Sequence, residues 1–152
     1  MIGVLKTTLR NIDKDFFAVQ NLNQLVHTNT ANCLFCDDID MSFRLQLKTN
    51  VLQRIHAFDF KGIIITDDLE RTQDLIYTTY AKKRFVYLYH LEWTYITDLR
   101  FNQIKNVMLN NNIELIARSD THAKLIEELF KKPKYIMPEW DYKTLIEIDQ
   151  NE

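Results

Sequence analysis

His90 closes an aromatic-rich apolar run, and Glu92 stands two residues beyond it, a His–carboxylate pairing whose chemistry is proton transfer near neutral pH. His90 and Glu92 are therefore the candidate catalytic residues, with a packed, hydrogen-bonded histidine as the plainer role. Asp37, Asp38 and Asp40 make an acidic cluster of the kind that attracts hard cations, although a solvated loop accounts for it and no metal is expected. Asp67, Asp68, Ser119 and Asp120 stand where helix caps stand. Asp67 and Ser119 also count as substrate-binding candidates, together with Asp37 and Asp38. Trp93 and Trp140 each lie beside a carboxylate, an arrangement suited to stacking on a sugar or base. Arg118 offers a planar fork that can pair two oxygens of an anion.

Several chemistries are excluded at once. The chain has only two glycines, Gly3 and Gly62, so it holds no GxGxxG, no Walker loop and no GxSxG elbow. Cys33 and Cys36 form a CxxC, but it lies in an apolar, strand-like run without further ligands at zinc spacing. On a strand, residues three apart face opposite sides, so both are expected unpaired and buried. A formal charge of −2 shows no basic excess, so nucleic acid is not indicated as a partner. No apolar run approaches the roughly 20 residues of a membrane span, and no signal-peptide core is evident, so a cytoplasmic protein is expected. No cofactor is expected.

The elements that must position these residues alternate between two periodicities. At 152 residues, 46% hydrophobic and 26% charged, the chain suits one domain over residues 1–152. Ile2-Lys6, Cys33-Cys36, Ile63-Thr66, Arg84-His90, Ile113-Ala117 and Tyr135-Met137 read as strands. Between them run helical patterns. One spans Asp13 to His27, with Phe16, Phe17, Leu22, Leu25 and Val26 inward. A second starts at Ser42 and carries Leu45, Val51, Leu52 and Ile55. A third carries Leu69, Ile76, Tyr77 and Tyr80, and others start at Asp98, Ser119 and Tyr142. The expected fold is α/β: one doubly wound, mostly parallel, Rossmann-like sheet of about six strands, with helices on both faces. Ile63-Thr66 and Ile113-Ala117 should lie inside the sheet, because continuous apolar strands need cover on both faces. Ligands of such sheets bind beyond the carboxyl ends of the strands, where most of the candidates fall.

The stretch Ile113-Glu-Leu-Ile-Ala-Arg-Ser-Asp-Thr-His-Ala-Lys-Leu-Ile126, with Phe130 and Tyr135-Ile-Met-Pro-Glu-Trp-Asp141, resembles the end of the N-terminal Rossmann-like half of GT-B glycosyltransferases. Ile63-Asp68 and Arg84-Trp93 fit the two preceding strands, so the resemblance covers about residues 60–141. It implies an acceptor-side half whose sugar-nucleotide donor is held by a second half that this chain does not contain. The implied partner is a second glycosyltransferase subunit or another copy of the chain, and the implied ligand is a sugar or nucleotide. The glycine-rich turn that many members carry after the first strand is missing. A non-enzymatic binding module, such as a phage accessory protein engaging a protein or nucleotide at the aromatic and acidic edge, is the competing expectation.

Overall fold

Three consecutive isoleucines are stable as a strand only if both sheet faces are covered, and Ile63-Ile64-Ile65 sits at the middle of such a sheet. A computed structural model describes residues 1–152, the side chain of Asp98 excepted. Chain order is β1 (Ile2–Leu5), β2 (Thr8–Leu9), α1 (Asp13–Leu25), β3 (Asn32–Cys36), β4 (Asp38–Ile39), β5 (Asn50–Gln53), β6 (Ile63–Thr66) and α2 (Asp74–Tyr77). It continues with β7 (Lys83–Leu88), α3 (Asp98–Met108), β8 (Glu114–Ala117), α4 (Asp120–Leu129), β9 (Tyr135–Ile136) and α5 (Tyr142–Asn151). Seven strands, one more than the sequence suggests, form one wholly parallel sheet in the order β5-β3-β1-β6-β7-β8-β9. Counted along the chain within this sheet, the order is 3-2-1-4-5-6-7. The winding reverses between β1 and β6, and this is the switch point.

Side-chain alternation divides the core in two. Ile2, Val4, Leu34, Cys36, Ile63, Ile65, Phe85, Tyr87 and Ile116 meet α1 and α5 on one face. Leu5, Cys33, Phe35, Ile64, Val86, Leu88 and Leu115 meet α2, α3 and α4 on the other. The fold is thus doubly wound, and both β6 and β8 lie inside the sheet, as expected. Cys33 and Cys36 are free, buried and on opposite faces. Burial pushes their thiols up to about 12 and about 11, with Asp37 and Asp38 adding to the effect at Cys36, so neither supplies thiolate at neutral pH.

Three helix expectations are corrected. The segment from Ser42 to Ile55 is not an α-helix: Phe43, Leu45 and Leu47 pack against the core at period two, Val51 and Leu52 belong to edge strand β5, and Ile55 lies exposed in a 3-10 turn, Arg54–Ala57. That alternating trio covers the sheet face where a crossover helix would lie. In α1 the inward stripe is Ala18, Val19, Leu22 and Leu25, whereas Phe16 and Val26 are exposed. After β6, Leu69 and Leu75 are buried while Ile76, Tyr77 and Tyr80 face out. Thr72 and Thr78 hydroxyls donate to the carbonyls of Leu69 and Leu75, which breaks the segment into a 3-10 turn, Leu69–Arg71, and the single-turn α2.

Both glycines lie against Phe60. A Cβ at Gly3 would come 3.0 Å from the Phe60 ring, and one at Gly62 would meet that ring at 2.6 Å and strike the Met1 carbonyl as well. Gly62→Ala is expected to cost about 1–3 kcal/mol. The readout is a lower urea midpoint at unchanged slope; an unchanged midpoint would contradict this packing.

Candidate functional site

The register puts chemistry at the switch point. Leu5 pairs with Thr66, so the next residues, Lys6 and Asp67, leave the sheet side by side at its carboxyl edge. Alternation turns both toward α1, whose stripe Ala18-Val19-Leu22-Leu25 begins one turn earlier with Asp15. Lys6 Nζ donates to Asp15 Oδ1 at 2.7 Å and to Asp67 Oδ2 at 2.6 Å. All three side chains are at most 3% exposed. The Trp140 indole N–H donates to Asp67 Oδ2 at 3.2 Å, and the Arg10 amide donates to Asp15 Oδ2 at 2.8 Å. Asp67 Oδ1 is buried and has no hydrogen-bond partner. Burial pushes the Asp67 carboxyl above its ordinary value, opposed by the positive charges of Lys6 and Lys14.

Above this triad opens a cleft of about 270 Å³, lined in part by Lys6, Arg10, Lys14, Asp67, Glu92 and Arg100. Lys14 Nζ pairs with Glu92 at 2.9 Å and lies 3.4 Å from the Asp67 carbonyl. Burial alone would lower the Lys14 amine, but Asp67 and Glu92 outweigh it and hold the value above normal. Asp68 caps the Leu69–Arg71 turn through the Glu70 amide at 3.0 Å and also accepts from Thr7. Burial pushes its carboxyl up, and these donors together with Lys14 bring it below the usual range.

The loop after β1 does not form a phosphate turn. Thr8–Leu9 instead pairs in parallel with Asp38–Ile39, so β1 and β3 extend as a two-stranded tab beyond the main sheet. The first turn of α1 already carries Asp13 and Asp15, which occupy the positive end of its dipole.

A second group lies farther along the edge. Arg118 Nε donates to Glu139 Oε1 at 2.9 Å, its guanidinium stacks 4.5 Å over the Tyr89 ring, and the Tyr89 hydroxyl donates to Glu139 Oε2. Ser119 caps α4 by accepting from the His122 amide at 3.2 Å. Burial, with Arg118 and His90 nearby, keeps the His122 imidazole below its usual value and neutral at physiological pH. Glu139 and Trp140 both have left-handed backbones, φ 47 and 60, which costs strain for residues with side chains. The turn is held by the Glu139 contacts, by Trp140 burial and by Asn21 Nδ2 donating to the Glu139 carbonyl at 3.0 Å.

The predicted site residues are thus divided. Asp67 and Glu92 come together in the switch-point cleft. His90 is exposed against the Tyr89 ring, and Glu92 turns to Lys14 instead of pairing with it. Arg118 and Ser119 belong to the second group, where Arg118 is engaged by Glu139 and Ser119 by its cap. Asp37 is bridged by Arg54 at 2.9 Å and Arg71 at 3.1 Å, and Asp38 accepts from the Ile39 amide. Trp93 is buried against Phe130 and offers no platform. Lys6, Lys14 and Asp15 escaped the sequence reading. Their signal was a lysine directly after a buried strand and an acid on the inward stripe of α1. Among the described residues no group of three or more His, Cys, Asp or Glu side chains is placed to hold a metal ion. Among the same described residues no helix is long and apolar enough to cross a membrane.

No family model, curated protein or solved structure matches the chain. Fold and geometry define its class: an α/β protein with a Rossmann-like parallel sheet and a charged cleft at the switch point.

Proposed function

We propose that the chain is a glycosyltransferase-like, acceptor-side domain that binds a sugar- or nucleotide-type ligand in the switch-point cleft and needs a partner subunit for catalysis. The observation that carries this reading is the Lys6–Asp15–Asp67 triad. Burying three charges is costly, and apolar residues of similar size usually stabilise a core as well or better. A triad at the one place where parallel sheets bind ligands therefore points to a role in binding or chemistry. Lys6 and Trp140 hold one oxygen of Asp67, which leaves the other to accept a proton or hydrogen bond from a ligand hydroxyl. The resemblance over residues 60–141 supplies the glycosyltransferase class.

A second reading, a binding module without catalysis, is favoured by Tyr95 and Leu99. These are 91% and 77% exposed and flank Ile96 and Arg100 at the rim of the cleft, where a protein partner would bury them. Calorimetric titration with monosaccharides and sugar nucleotides tests the main reading. A sugar should bind, with Asp67→Asn weakening it at least tenfold, while an intact sugar nucleotide should bind no tighter than the nucleoside monophosphate it contains. Tight donor binding by the isolated chain, or binding indifferent to Asp67→Asn, would refute it.

A further inference from the structure

Groups with opposite needs line the cleft. Asp67 Oδ1 is an acceptor without a donor, on a side chain that is 0% exposed. The cationic side is the reverse. Lys6 is spent within the triad and Lys14 on Glu92. Arg100 pairs with Glu70 at 3.2 Å with both side chains more than half exposed, a contact worth little in water. Arg10 is exposed and forms no ion pair among the described residues, yet it lines the same cleft. No backbone cradle competes for an anion, because the turn after β1 is the β2–β4 tab and the N-terminus of α1 carries its own acids. Any anion must therefore be held by side chains.

We infer that the cleft takes a small two-ended ligand, a hydroxyl-bearing phosphate monoester such as a sugar phosphate or a nucleoside monophosphate. One hydroxyl donates to Asp67 Oδ1, and Arg10 and Arg100 hold the phosphate. Arginine forks suit phosphate oxygens through paired N–H donors. Inorganic phosphate satisfies the arginines and leaves Asp67 unmet, whereas a neutral sugar does the opposite. A volume of about 270 Å³ lies just under the usual range of roughly 300–1,000 Å³ and suits a ligand of this size better than a dinucleotide.

This inference rests on the cleft being the ligand site, and the experiment separates the two ideas. The full chain is titrated calorimetrically with glucose, glucose 6-phosphate, uridine monophosphate and inorganic phosphate, then repeated with Arg10→Ala and Asp67→Asn. One of the two phosphate esters should bind at least tenfold tighter than glucose, and the tighter one identifies the source of the phosphate. Arg10→Ala, at an exposed position that leaves folding intact, should erase that advantage. Asp67→Asn should reduce the ester to the affinity of inorganic phosphate. Glucose and both esters binding alike, with Asp67→Asn weakening all three, overturns the two-ended ligand while the site itself stands. An ester advantage that survives Arg10→Ala also overturns it. Binding of none of the four probes overturns both ideas.

Discussion

Lys6→Met should be among the most damaging single substitutions in the protein, costing about 3–5 kcal/mol, which for a chain of this length lowers Tm by on the order of 10 °C. Methionine fills the space of the lysine stem, so little packing is lost. What goes is the cation between Asp15 and Asp67, and two carboxylates then remain buried within reach of each other, with only the more distant Lys14 still acting on Asp67. The pH dependence gives the loss its signature. Burial already raises the Asp67 carboxyl in the folded protein, and Lys6 is the main influence opposing that rise. Without Lys6 the folded value climbs further above the unfolded one. A group raised in this way stabilises the fold below its unfolded value and loses that contribution as pH rises through the folded value. The variant should therefore approach the native protein in stability at acid pH and fall away from it as pH rises. Adding Asp15→Asn and Asp67→Asn to Lys6→Met removes the buried charge and should recover a good part of the loss. Thermal melts across pH test this. A cost under about 1 kcal/mol, or a gap that widens on acidification, would mean that the triad is not a buried ion cluster.

The same triad shows where the amino-acid sequence is legible and where it is not. The sheet announces itself because apolar runs such as Ile63-Ile64-Ile65 and Leu115-Ile116-Ala117 have no stable alternative to a doubly covered parallel strand. The carboxyl edge follows from the alternation of strand and helix, so Asp67 is reachable by rule. Its partners are not, because they depend on helical phase. Reading Phe16, Phe17 and Val26 as the inward face of α1 rotates the helix and turns Asp15 outward. Aromatic rings outweigh alanine in any hydrophobic count, yet the packed stripe begins at Ala18 and Val19. Once the phase is right, an acid at Asp15 on the buried stripe and a lysine directly after β1 name each other. The seventh strand was hidden differently. Val51, Leu52 and Ile55 mimic a helical face, and only tertiary pairing with β3 decides for β5. His90 and Glu92 are two apart in sequence, but the chain turns between them into the Glu92–Tyr95 3-10 segment and sends them to different neighbours.

Trp140 ties the fold to the cleft, and two substitutions there should separate its roles. It is fully buried, packs edge-on to Tyr87 with ring centroids 5.0 Å apart, and lies 5.4 Å from Lys6 Nζ. Trp140→Ala removes the largest side chain of its core cluster and should cost about 3–5 kcal/mol. Trp140→Phe keeps most of the packing but deletes the N–H donated to Asp67, for about 1–2 kcal/mol. Losing a donor to the ionised carboxylate raises its proton affinity further above the ordinary value. At a given pH, less of Asp67 is then ionised. If the ionised form accepts the ligand hydroxyl, the acid side of the binding profile should move to higher pH in Trp140→Phe while affinity on the alkaline plateau barely changes. A purely structural tryptophan would lower stability in both variants and leave the pH profile in place. Calorimetric titration of Trp140→Phe with the ligand identified above, between pH 5 and pH 9, distinguishes the two. A profile superimposable on that of the native chain would remove Asp67 from the binding step and reduce the triad to a structural ion cluster beneath the cleft.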